Sequence, residues 1–147
     1  MDSANADKDL GSLQKISLVL ISLFLVVSLF FFRSGFKANI ILDQLANNSL
    51  EPEIALSNGK PTIFEFYADW CEACKEMAPD MLEAEKINSK KIDVVLLNVD
   101  NSRWFDLIDK YDVNGIPKLI FFDDQGELKG FSLGVRKYSE INEIFLA

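Results

Sequence analysis

The 147-residue chain has no histidine, only two cysteines, and few residues that interrupt regular structure: 4 prolines and 7 glycines. Zinc needs four protein ligands in a structural site, or three and a water in a catalytic one, which two thiols without histidine do not supply. Cysteines separated by only two residues are also too few and too close to staple a disulfide scaffold. Positive charge is scarce, with 15 Lys and Arg against 23 Asp and Glu, a net charge of −8. Phosphate recognition needs cations gathered on one surface, so nucleic acid is not an expected partner. The hydrophobic content, 49%, excludes a disordered chain and leaves room for one compact domain plus an appendage.

The appendage is a run that lacks charge. Residues 16–32 read ISLVLISLFLVVSLFFF, seventeen residues with three serines as the polar members, bounded by Lys15 and Arg33. As a helix they extend roughly 25 Å, slightly short of a ~30 Å hydrocarbon core. Leu13, Phe36 and snorkelling of the flanking cations make up the difference. A buried core helix would show an amphipathic period, and none is visible. A cleaved signal peptide would be followed by an A-x-A-like site, whereas the exit reads RSGFKANI. The expectation is therefore a tail over 1–15, a single transmembrane anchor in the lipid bilayer over 16–33, a linker over 34–50 and a domain over 51–147. Lys8, Lys15 and the terminal amine precede the anchor while Arg33 and Lys37 follow it, so charge does not decide its orientation.

From residue 38 onward the chain carries 20 acidic and 11 basic residues. Residues 39–48 read as a partly apolar joining stretch, and 52–57 as a short helix with Pro52 near its start. TIFEFY at 62–67 is β-branched and aromatic, the pattern of a strand. Residues 71–88 show helical spacing, with Met77, Met81, Ala84 and Ile87 as the apolar face and Pro79 as an expected kink. IDVVLLNV at 92–99 is a near-continuous apolar run, a strand covered on both faces. Residues 102–111 read as a helix with Phe105, Leu107 and Ile108 as its apolar members. A strand over 118–122, the DDQG turn and a strand over 127–131 form a hairpin, and a helix closes the chain over 139–146. This order predicts an α/β fold with a mixed central sheet flanked by helices on both faces.

Chemistry concentrates in Trp70-Cys71-Glu72-Ala73-Cys74-Lys75, which follows a strand and opens a helix. At a helix start Cys71 meets unpaired backbone N–H groups and the positive dipole end, which stabilise its thiolate. Cys74, three residues on, lies on the same face and within disulfide reach. Such a motif in this context points to thiol redox work. A metal passed between the two thiolates, as in a copper carrier, stays open as an alternative.

FEFYADWCEACKEMAPDM at 64–81 and VNGIPKLIFFDDQGE at 113–127 resemble the two signature regions of thioredoxin. The resemblance covers essentially residues 60–147 and implies a thioredoxin fold, with a Cys71–Cys74 redox disulfide in place of a cofactor. It implies that Pro117 is cis and faces the cysteines, that Ile116 offers its backbone to an extended substrate, and that Glu65 is the buried acid under Cys74. Gly126 and Gly134 match family glycines. Glu72-Ala73 departs from the usual Gly-Pro, and Leu96 stands where thioredoxin has a lysine near the buried acid. With the anchor, these departures look like the membrane-anchored thylakoid thioredoxin-like proteins of cyanobacteria and chloroplasts. That group is similar to reductants of apocytochrome thiols and implies a lumenal or periplasmic domain.

The implied roles are Cys71 as nucleophile, Cys74 as resolving thiol, Glu65 as proton shuttle, and Trp70, Ile116 and Pro117 as substrate contacts. Substrates would be protein disulfides, with electrons from a membrane donor or another thioredoxin. A disulfide oxidase or isomerase, or a metal-binding assembly factor, are the alternatives. Trp70 could instead be a core aromatic and Glu65 an outward-facing residue. Glu72 reads as a solvated residue whose charge opposes thiolate formation and favours a reducing protein. Trp104 reads as packing, Lys118 as a rim charge, and the phenylalanines as core or anchor.

Overall fold

A computed structural model describes residues 3–88 and 91–146. The elements are α1 (Ser3–Asn48), α2 (Pro52–Ala55), β1 (Thr62–Tyr67), α3 (Glu72–Asn88), β2 (Asp93–Asn98), a 3-10 turn (Ser102–Trp104) running into α4 (Phe105–Lys110), β3 (Lys118–Phe122), β4 (Leu128–Leu133) and α5 (Tyr138–Leu146). The chain divides into two units, Met1–Phe36 and Lys37–Ala147.

In the first unit, apolar side chains from Ile16 to Phe30 are exposed along α1, consistent with a helix that has no amphipathic period. Among the described residues no helix is long and apolar enough to cross a membrane. The side chains of residues 31–37, which include the end of the expected anchor, lie outside the described set.

The second unit is built on a four-stranded sheet in the order β2-β1-β3-β4. β1 runs parallel to β2 and antiparallel to β3, and β3 and β4 form the hairpin. Alternation along the strands divides the core in two. Ile63, Tyr67, Val94, Leu96, Leu119 and Phe121 pack with α3, with Ile141 of α5, and with Leu42 and Leu45 of α1. Phe64, Phe66, Val95, Leu97, Ile120 and Phe122 pack with Ala55, Trp104, Leu107, Ile108 and Tyr111. Phe64, Phe122 and Tyr111 form an aromatic group there, with ring centroids 4.8–6.3 Å apart. The hairpin turn requires glycine at Gly126, where φ is +78° and a Cβ would lie 2.5 Å from the Leu56 carbonyl oxygen.

Several expectations change. Residues 39–48 are not a linker but the end of α1, and Leu42 and Leu45, three residues apart on one helix face, are fully buried. Ile87 is exposed, because the buried stripe of α3 ends at Ala84. Pro79, where a kink is expected, lies within the single helix α3. The helix expected over 102–111 begins as a 3-10 turn, and Phe105 points to solvent. Phe105 and Phe131 thus belong to neither core nor anchor.

Removing the side chain of Leu45 leaves a cavity, so Leu45→Ala destabilises the domain by about 2–5 kcal/mol. Urea unfolding of the full chain reads this as a lower midpoint at unchanged slope. Ile87→Ala, on the exposed face, shifts stability by less than ~0.5 kcal/mol.

Candidate functional site

Cys71 immediately precedes α3, and its Sγ accepts the backbone N–H of Cys74 at 3.1 Å. That is the geometry of an N-cap acceptor: the first turn of a helix has unpaired N–H groups, and a side-chain acceptor just before it satisfies one. The two sulfurs form a disulfide, with the Cα atoms 5.3 Å apart. Cys71 keeps 6% of its surface in solvent while Cys74 keeps none. Both belong to the apolar cluster on the α3 side of the sheet. Glu72, at the first helical position, is exposed, and its carboxylate accepts a hydrogen bond from Lys75 Nζ at 2.8 Å. Lys75 thus offsets part of the negative charge beside Cys71.

The aromatic residue of the motif stands clear of the core. Trp70 is 65% exposed, and its indole N–H donates to Asp100 Oδ2 at 2.8 Å. Asp100 comes from the segment after β2, and Asn98, the last residue of that strand, donates to Asp69 at 3.3 Å. One hydrogen bond therefore holds an exposed ring that packing alone would leave free. Asp100 was missed by sequence reasoning because nothing in NVDN signals an indole partner 30 residues away.

Glu65 lies mid-strand in β1, fully buried, on the same face as Ile63 and Tyr67. Its lateral neighbours are Leu96 on β2 and Leu119 on β3. Neither carboxyl oxygen has a hydrogen-bond partner among the described residues. Burial without a countercharge disfavours the ionised form, and the pKa is pushed from 4.5 up to about 8. The outward-facing alternative is thereby excluded. Leu96, in the position that the resemblance singled out, is the direct cause of the missing countercharge on that side.

The Ile116–Pro117 peptide bond is cis. Pro117 is buried, its carbonyl accepts the N–H of Gly134 at 2.9 Å, and Ile116 packs against the cluster that contains both cysteines. Lys118 is not a rim charge. It is buried, and its ammonium donates to the carbonyl oxygens of Tyr111 at 2.8 Å and Asp112 at 2.6 Å, at the C-terminal end of α4. Those carbonyls carry the negative end of the helix dipole, so a cation there is stabilised. Among the described residues, no group of three or more Cys, Asp or Glu gathers to hold a metal ion.

A mixed sheet with a two-cysteine motif at the start of its long helix, a cis-proline turn and a buried strand acid together define a thiol-exchange architecture. The chain belongs to the thioredoxin family, whose model matches residues 42–145. It is 44% identical over 108 residues to the chloroplastic thioredoxin-like protein HCF164 of Oryza sativa subsp. japonica, covering 74% of this chain and 41% of that one. It is 41% identical over 95 residues to a thiol:disulfide interchange protein TxlA homolog of Synechocystis, covering 65% of this chain and 53% of that one. The chain thus spans about half or less of the length of these curated relatives. The solved structure of thioredoxin-2 from the malaria parasite shares the fold, with a TM-score of 0.54 at 18% identity over 59% of this chain and 82% of that chain.

A carboxyl whose folded pKa lies above its unfolded value keeps its proton in the fold after the unfolded chain has released it. Stability is therefore unaffected by this group below pH 4.5, declines as pH rises toward about 8, and carries the full penalty above that. The slope is at most on the order of 1 kcal/mol per pH unit. Glu65→Gln removes it, so the variant's urea midpoint exceeds that of the wild type at pH 8 and the gap narrows at pH 5. A gap that does not change with pH contradicts the buried, partnerless state of the carboxyl.

Proposed function

We propose that the protein is a membrane-anchored thiol–disulfide oxidoreductase that reduces protein disulfides with the Cys71–Cys74 pair. The observation that carries this reading is the Cys71–Cys74 disulfide at the start of α3, where the N-cap geometry favours Cys71 as a thiolate. Similarity to relatives named thiol:disulfide interchange proteins supports the same chemistry.

In the reduced protein, the Cys71 thiolate attacks one sulfur of a client disulfide. The client's other sulfur leaves as a thiolate and takes up a proton, and a mixed disulfide joins Cys71 to the client. Cys74 then gives its proton to the Glu65 carboxylate and attacks the Cys71 sulfur. The client's second thiol is released, and the Cys71–Cys74 disulfide forms. A carboxyl poised near neutral pH, buried on the face of the sheet that carries the cysteines, suits that proton transfer. Trp70, Ile116 and Pro117 supply the client contact surface. Two electrons from a dithiol donor, either a membrane carrier or another thioredoxin, restore the reduced state, and no further cofactor enters the cycle.

Direction follows from charge. Glu72 beside Cys71 weakens thiolate stabilisation, and a less stabilised thiolate makes a more reducing couple. A reduction potential near ~−270 mV fits a reductant, whereas one near ~−120 mV fits an oxidase. Anchoring rests on the seventeen-residue uncharged run and the exposed apolar side chains between Ile16 and Phe30. The resemblance of the sequence to thylakoid thioredoxin-like proteins, with relatives named chloroplastic or TxlA, supports a lumenal or periplasmic domain that acts on apocytochrome thiols.

Two outcomes test this reading. Cys74→Ser accumulates covalent client complexes in the membrane fraction, removable by dithiothreitol, while Cys71→Ser traps little because Cys74 is fully buried. Equal trapping by both variants refutes the division of roles. Lys129→Cys, at an exposed site on β4, is shielded from impermeant thiol reagents applied to the cytoplasmic face. Labelling from that side places the domain in the opposite compartment and removes the role on apocytochrome thiols.

A further inference from the structure

Two asparagines of this chain precede a glycine, in the pairs Asn58–Gly59 and Asn114–Gly115. Such a pair is a chemically labile point of a main chain. The glycine nitrogen has no side chain beside it to hinder its approach to the asparagine side-chain carbonyl, and asparagine is a thermolabile residue for this reason. Both asparagines are exposed, so water and base reach each of them. Their side chains differ. Asn58 is held at both ends of its amide: its Oδ1 accepts the Lys60 N–H at 3.0 Å, and its Nδ2 donates to the Asp93 carboxylate. Rotation of that amide toward Gly59 breaks both bonds. Asn114 makes no side-chain hydrogen bond among the described residues, and neither Gly115 nor Ile116 donates a backbone one there.

The second pair also sits where a change of main chain has consequences. The segment is pinned on either side. The Lys118 ammonium binds the carbonyls of Tyr111 and Asp112, and the Pro117 carbonyl accepts the Gly134 N–H. Only residues 113–116 lie between those points. Ile116 packs against both apolar clusters, one of which holds Cys71 and Cys74. An atom added to the main chain at Asn114 is therefore absorbed within that short stretch, at the expense of the position of Ile116.

We propose that Asn114 is a site of spontaneous deamidation, at which the folded chain exchanges an amide for a carboxyl and reshapes the turn that ends in Pro117. The Gly115 nitrogen loses its proton to solvent base and attacks Asn114 Cγ. The new C–N bond closes a succinimide ring, the Cγ–Nδ2 bond breaks, and the leaving nitrogen takes up a proton to depart as ammonia. One water then opens the ring. Hydrolysis at Cγ leaves aspartate, whereas hydrolysis at the main-chain carbonyl carbon leaves isoaspartate, whose main chain is one carbon longer. The balance is one water consumed and one ammonia released, with nothing oxidised or reduced. The site itself stands on geometry, and its effect on client reduction rests on the oxidoreductase reading.

The test ages the full-length protein in detergent micelles at mildly alkaline pH and follows its tryptic peptides by mass spectrometry. Cleavage after Lys110 and Lys118 isolates residues 111–118 from the peptide that holds Asn58. Amide loss accumulates about tenfold faster at Asn114 than at Asn58, as expected when Asn58 must first give up two hydrogen bonds. The aspartyl and isoaspartyl forms of 111–118 elute separately at equal mass. In urea the two rates converge to within about threefold, because the protection of Asn58 is lost. Asn114→Gln, at an exposed position, keeps the fold and abolishes conversion there. Equal or faster conversion at Asn58 in the folded protein overturns the site. A tenfold preference for Asn114 that persists in urea overturns it too, because sequence neighbours rather than the fold then set the rate. On a protein disulfide, the aged wild type loses kcat/KM in proportion to its isoaspartyl fraction, while aged Asn114→Gln keeps its starting value. An aged wild type of undiminished kcat/KM overturns the effect on the turn alone. An unaged wild type inert on the disulfide overturns the oxidoreductase reading, and the peptide masses still decide the site.

Discussion

Six consecutive residues of β1, Thr62–Tyr67, lie out of water, so neither face of the central strand can be left to solvent. A strand in that position needs hydrogen-bonded neighbours on both edges and apolar cover on both faces. β2 and β3 supply the edges. The cover on one face is α3 with the end of α1 and α5, and on the other α2 and α4. The position of the redox motif follows from the same requirement. α3 must leave the end of β1 and return along the sheet, so its N-terminus, with Cys71 before it, falls at the edge of the core rather than on an open loop. The motif is thus partly buried by the packing that makes the strand possible.

Much of this was legible in the sequence, for identifiable reasons. β1 and β3 are short, β-branched or aromatic, and bounded by turn residues, and their limits emerged as expected. The hairpin was marked by DDQG, and the cysteine motif by its place between a strand and a helix. The end of α1 was not legible. Leu42 and Leu45 are spaced as a helix face, but they follow a long apolar run that is patterned for other surroundings, and local periodicity cannot say where one environment gives way to the next. Lys118 was misread because its partners are backbone carbonyls, which every residue has and no sequence pattern marks. Trp70 and Asp100 meet only through tertiary structure.

The electrostatics of the cysteine pair balance opposing effects near one atom. The first turn of α3 offers Cys71 a backbone N–H and the positive end of a 17-residue helix. Glu72 opposes this, but it is exposed and engaged by Lys75, so its field at the sulfur is screened by solvent and by the ammonium. Geometry thus favours the Cys71 thiolate, while the neighbouring Glu72 charge opposes it.

The domain buries both an acid and a base in adjoining strands, yet the two cannot neutralise each other. Glu65 pairs with Leu119 across β1 and β3, while the next residue, Phe66, pairs with Lys118. Because side chains alternate, that single step in register sends the carboxyl to the α3 face and the ammonium to the α4 face. Lys118 is compensated there by the carbonyls that end α4. Glu65, between Leu96 and Leu119, finds no such compensation among the described residues and resists ionisation. Had the register brought the two together, an ion pair would have fixed the carboxylate in its charged form and removed its capacity to exchange a proton near neutral pH. Segregating the charges to opposite faces costs the fold stability at high pH, and it leaves on the cysteine face a buried carboxyl whose pKa is pushed up to about 8.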